Sequence, residues 1–116
     1  MKGRRGFTMH RTLAFAVVVL GLIVSTEIAQ AQWTKFQRDE FTNGCVPSCQ
    51  KNPNLQRRLV PRCEAYCACV MREGESRYSS AQYEILERDA RDNVQSPLLQ
   101  EFAAIYPVCS RRIFSD

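Results

Sequence analysis

The sequence predicts an all-α fold, a small disulfide-stapled bundle of three to five short helices. Three observations predict it. Cys45, Cys49, Cys63 and Cys67 form two Cys-x3-Cys pairs thirteen residues apart, and that spacing puts both sulfurs of a pair on one helix face. Thr34-x2-Gln37, Ser79-x2-Gln82 and Ser96-Pro97 are helix-start signatures. No stretch shows the polar–apolar alternation of a strand.

The chain opens on an apparent secretory signal. Met1 to Arg11 is basic, with Lys2, Arg4, Arg5 and Arg11, and Leu13 to Val24 is apolar apart from Gly21. That run is about a dozen residues, against roughly 20 needed to span a bilayer. Ala29-Gln30-Ala31 fits the small-x-small rule for signal peptidase. The expected division is a cleavable signal over 1–31 and one disulfide-stabilised helical domain over 32–116. No Cys stands at the cleavage point, so no lipoprotein and no stable membrane anchor after cleavage are expected. The expected location is secreted or periplasmic, and the Arg-rich, Lys-poor domain suits a bacterium.

Cleavage changes the chemistry on offer. The whole chain carries formal charge +4. Without the four basic residues of the signal and Glu27, twelve basic residues face eleven acidic ones. The basicity belongs to targeting, so no nucleic-acid partner is expected. The only histidine, His10, also lies in the signal. The domain therefore lacks Ser-His-Asp and Cys-His constellations and the commonest metal ligand.

Thr34 caps the first helix and Gln37 closes its box, with Trp33, Phe36 and Phe41 roughly helix-spaced. Asn43-Gly44 and Pro47 interrupt it: the helix either stops there or kinks. Asn52-Pro53-Asn54 marks a turn, and Leu55, Leu59 and Val60 hint at a short helical turn. Pro61 suits the first turn of a helix over roughly 62–73, with Gly74 at its C-terminal end. Ser79 caps the next helix, with Tyr78 and Tyr83 at staple positions. Its apolar stripe is Tyr83, Leu86 and Ala90, with Ile85 beside them and Glu87–Arg91 on the wet side. Ser96-Pro97 opens the last helix, whose buried face is Leu98, Leu99, Phe102 and Ile105. Tyr106-Pro107 should break or kink it.

All six cysteines lie in the domain. An even count in an oxidising compartment reads as three disulfides, with fifteen possible connectivities. Sulfur-bearing Cβ atoms at i and i+4 stand about 5–6 Å apart, whereas a disulfide wants roughly 3.8 Å. Two antiparallel helices can be stapled twice instead, by Cys49–Cys63 and Cys45–Cys67. Cys69 lies about 200° around the helix from Cys67, which leaves Cys69–Cys109 to tie down the C-terminal segment. If the first helix stops at Gly44, the first pair lies partly in a loop and this ranking weakens.

Chemistry beyond stapling has few carriers. Cys67-Ala68-Cys69 could form a reactive redox pair or bind Cu(I), and the four Cys-x3-Cys thiols have spacing that a zinc site allows. Structural cystines are the favoured reading, with no cofactor and no metal. Glu64, Glu73, Glu75, Glu84, Glu87, Asp89 and Asp92 read as solvated helix faces rather than an acid–base pair. Trp33 and Tyr66 read as core more readily than as interface anchors.

The spacing Cys45-x3-Cys49-x13-Cys63-x3-Cys67 resembles the twin Cys-x3-Cys signature of the small Tim chaperones, a likeness of geometry that implies a stapled helical hairpin. Phe41-x3-Cys45, followed by Ala65-Tyr66-Cys67-Ala68-Cys69-Val70 and then Tyr78-Ser79 opening a helix, is similar to small exported bacterial proteins of uncharacterised function. That resemblance implies export and a helical fold, and no activity. The expected function is non-catalytic: an exported binding or envelope stress-protective protein with an unknown, protein-class partner. The alternatives are a thiol-redox or copper-handling protein using Cys67 and Cys69, and an inhibitor of an extracellular hydrolase.

Overall fold

The computed structural model describes residues 32–115; the signal expected over 1–31 lies outside them. Among the described residues there are five α-helices and one 3-10 helix, and no strand. They are α1 (Lys35–Gln50), the 3-10 helix Arg57–Arg62, α2 (Cys63–Arg77), α3 (Ser80–Arg91), α4 (Pro97–Ala103) and α5 (Ile105–Phe114). None is long and apolar enough to cross a membrane.

Local chemistry sets most of the starts. Thr34 and Ser79 each accept from the third residue's backbone N–H, and Gln37 and Gln82 each return the bond. The Ser96 side chain accepts from Leu99 N–H, and Pro97 takes the first position of α4. In the 52–54 turn, Asn54 N–H donates to the Asn52 side chain at 2.9 Å.

Of the two outcomes open at Gly44 and Pro47, a stop or a kink, the helix does not stop: α1 runs through both. An internal proline costs about 3 kcal/mol or more, because it withdraws a hydrogen bond and crowds the preceding turn. Disulfides on both sides of Pro47 offset that cost. Cys45 bonds Cys67 and Cys49 bonds Cys63, with Cα–Cα separations of 5.9 and 5.8 Å. Both turns flanking the proline are thereby held against α2. A third bridge, Cys69–Cys109, joins α2 to α5. Three cystines in one small domain belong to an oxidising environment.

Two helix ends differ from expectation. Gly74 is not a C-terminal cap: α2 continues to Arg77, and Gly74 is buried inside it. The C-terminal break falls before Tyr106-Pro107, at Ala104 between α4 and α5. The ring of Pro107 would clash with the carbonyl four residues back, that of Ala103, so the chain turns there. Pro107 then occupies the first turn of α5, where its missing N–H is not needed.

The core is aromatic. The Trp33 ring centroid lies 4.6 Å from that of Tyr83, 6.0 Å from Phe41 and 6.5 Å from Phe102. Its Nε1 donates to the Tyr78 carbonyl at 3.0 Å, so the indole is buried without an orphaned donor. Val70, Leu86, Ile105 and the Cys69–Cys109 bridge complete the cluster. Phe36, expected on the apolar side of α1, is 73% exposed, and Gln37 is buried in its place. In α3, Ala90 is exposed while Asp89 is buried.

Candidate functional site

Among the described residues, a groove of about 690 Å³ lies between α1, α2 and α5. One side is a row on α1, Glu40, Gly44 and Ser48, at the i, i+4 spacing that aligns side chains along a helix. The other side is aromatic: Tyr66 from α2, with Tyr106 and Phe114 from α5. The Tyr66 ring stands 6.4 Å from Tyr106 and 5.1 Å from Phe114. The turn that carries Asn52, Asn54 and Leu55 reaches one part of the rim. Cys45 and Cys49 lie in the lining, so both hairpin staples sit directly behind it and hold the α1 and α2 sides at fixed separation.

Glu40 and Glu87 bring two carboxylates to this groove, and none of its lining residues is Lys or Arg. The Tyr83 hydroxyl donates to Glu40 Oε2 at 3.3 Å and is also within hydrogen-bonding reach of Glu87. Burial, and then the Glu40 charge, raises the Glu87 carboxyl above the usual range; the Tyr83 hydrogen bond and Arg91 draw it partly back. Glu87 is thus half-buried among α1 and α3 groups rather than on a wet face. The Tyr106 phenol is pushed up to about 12 by burial, then by Tyr66 and Glu87. Burial also raises the Tyr66 hydroxyl. Both phenols stay neutral donors across the physiological range.

A smaller hollow of about 90 Å³ shares Phe41, Glu87 and Tyr106 with the groove. Leu86, Leu99 and Phe102 make its remaining walls largely apolar. A separate hollow of about 490 Å³ lies between α1 and α2, beside Val46, Pro47, Glu64 and Met71.

The sequence-predicted residues fall into distinct places. Cys67 and Cys69 are both buried, and they bond to different partners, Cys45 and Cys109. Redox or copper chemistry at Cys67 and Cys69 would first require opening two separate buried bridges. No cysteine among the described residues is free. Arg112 Nη1 stands 3.5 Å from Cys69 Sγ and 3.4 Å from Glu73 Oε1. Trp33 is core, whereas Tyr66 is half-buried and faces the groove. Among the acids, Glu75 pairs with Arg38, Glu73 pairs with Arg77 and Arg112, and Asp89 is buried beside Arg88. No group of three or more His, Cys, Asp or Glu among the described residues could hold a metal.

Sequence reading passed over Glu40. A signal was present: it has no Lys or Arg three or four residues away on α1, so no helical neighbour neutralises it. No family model, curated protein or solved structure matches this chain.

Proposed function

We propose that the mature domain is an exported, non-catalytic binding protein that engages its partner through the aromatic groove. The observation that carries this reading is the groove's construction. Tyr66, Tyr106 and Phe114 give it rigid amphipathic surface, and two disulfides lie behind its α1 wall. Aromatic side chains bring large contact area with few rotatable bonds, which lowers the ordering cost of association. Cross-links that fix α1 against α2 keep that surface preorganised. Export is supported by the same three bridges together with the signal-like segment over 1–31.

The test uses the domain beginning at Gln32, immobilised and exposed to an envelope and culture-medium extract of the source cells. Ser48 is exposed on the groove edge, so Ser48→Trp fills the groove with little cost to the core. Gln100→Ala, exposed on α4, is the control. A species held by the native domain and by Gln100→Ala, and lost with Ser48→Trp, supports the reading. Equal retention by Ser48→Trp removes the groove as the binding face.

A further inference from the structure

We propose that the groove's occupant is a segment of a partner protein presenting a lysine or arginine beside an aliphatic residue. The basic group would sit at Glu40 and Glu87, and the aliphatic one in the adjoining hollow. This rests on the groove being the binding face and adds what it recognises.

Charge complementarity carries the first half. Glu40 and Glu87 converge on one phenol, that of Tyr83, and the groove supplies no positive charge of its own. Glu84 adds further negative field at Glu87, while Arg91 on the same helix only partly opposes it. Carboxylates beside the π-faces of tyrosine and phenylalanine are the environment that attracts a partly desolvated organic cation. Tyr66, Tyr106 and Phe114 bring three such rings to the groove lining.

The smaller hollow carries the second half. It shares Phe41, Glu87 and Tyr106 with the groove, and Leu86, Leu99 and Phe102 also line its about 90 Å³. Away from Glu87, Tyr83 and Tyr106 its lining residues are apolar, so an aliphatic side chain would replace water favourably in that part. A free small cation would fill only the acidic end. From Glu40 to Ser48 the α1 wall runs about 12 Å at 1.5 Å per residue, and Ser48, Asn52 and Ser110 can serve a peptide backbone along it. Those features fit a chain segment rather than a lone amine.

The test is a titration of the mature domain, followed by NMR of the Tyr and Phe ring signals. The probes are capped hexapeptides Gly-Ser-Arg-Leu-Ser-Gly and Gly-Ser-Leu-Arg-Ser-Gly. Matched peptides carry citrulline for arginine, or alanine for leucine. Free arginine amide and spermidine form a separate arm. At least one Arg-Leu order is expected to saturate with shifts at Tyr66, Tyr106 and Phe114. The citrulline peptide should bind about tenfold more weakly, and so should the native peptide to the Glu40→Gln, Glu87→Gln double variant. The alanine peptide should lose several-fold. If the double variant fails to fold, the citrulline comparison on the native domain still decides.

Equal binding of the citrulline peptide, absence of saturable binding by either order, or free arginine amide or spermidine binding as tightly as the peptides would each overturn the proposal. Loss of the captured species in Ser48→Trp, together with any of those outcomes, would leave the groove a binding face with a different occupant.

Discussion

Gly74 of α2 lies directly beneath the indole of Trp33: a Cβ built on Gly74 would stand 2.9 Å from Trp33 Cη2. Phe102 Cε2 closes the other side at 3.0 Å. The absence of a side chain at Gly74 is what lets the only tryptophan sit flush against α2.

Gly74→Ala should therefore destabilise the domain, although alanine is the better helix former. Overpacking costs about 1–3 kcal/mol, against a helical gain of up to about 1 kcal/mol. Gly44, also inside a helix, has nothing within 4 Å of a built Cβ. Gly44→Ala should stabilise by about 0.5–1 kcal/mol. Urea unfolding, read by the fluorescence of Trp33, should give midpoints displaced in opposite directions.

Gln37 joins two helices. Its Oε1 accepts from Thr34 N–H at 2.9 Å and from the Ser80 hydroxyl at 2.9 Å. Its Nε2 donates to the Ser80 carbonyl at 3.1 Å and to Glu84 at 2.8 Å. Gln37→Ala strips partners from several part-buried groups and should cost about 1–3 kcal/mol. Gln82→Ala serves as comparison, since the bond found from its side chain is the one that accepts from Ser79 N–H. It should cost less, about 0.5–2 kcal/mol. Equal losses would mean that Gln37 acts only as a cap.

Ionising Glu87 should weaken the fold. Its carboxyl is raised above the ordinary 4.5, first by burial and then by Glu40. The folded chain therefore holds that proton more tightly than the unfolded one. The associated stability is present at low pH and lost as pH rises through the raised value. Glu87→Gln should match the native domain near pH 4 and exceed its stability near pH 7, by urea midpoint. A variant less stable at neutral pH would reverse the assignment.

The three bridges should not contribute equally. Cys69–Cys109 closes a sequence separation of 40, whereas Cys49–Cys63 closes 14 and is nested inside the 22 spanned by Cys45–Cys67. Replacing Cys69 and Cys109 by alanine should cost about 4 kcal/mol in the loop-entropy account. Replacing Cys49 and Cys63 should cost under about 3 kcal/mol while the outer staple remains. At about 0.05–0.15 kcal/mol per residue, a domain of this size has only several kcal/mol of stability, so the first pair should remove a large share of it, read as a lowered urea midpoint by circular dichroism.

The all-α class, the Thr34 and Ser79 capping boxes and the Ser96-Pro97 start were legible in the residues alone. These are local: each depends on residues within one helical turn. The cysteine spacing ranked the disulfide pairing that the fold contains, because the 3.6-residue period already places sulfurs by face. Tertiary structure decided the rest. Pro47 stays helical because bridges on either side hold it to α2, and Gly74 is internal because Trp33 needs its surface. Phe36 faces solvent while Gln37 is buried, since the Gln37 side chain makes four hydrogen bonds, to Thr34 at the start of α1 and to Ser80 and Glu84 of α3. The groove draws Glu40, Tyr66, Glu87 and Tyr106 from four helices. No periodicity within one helix can show which faces of four will meet, because that follows from the packing and cross-linking of the whole chain.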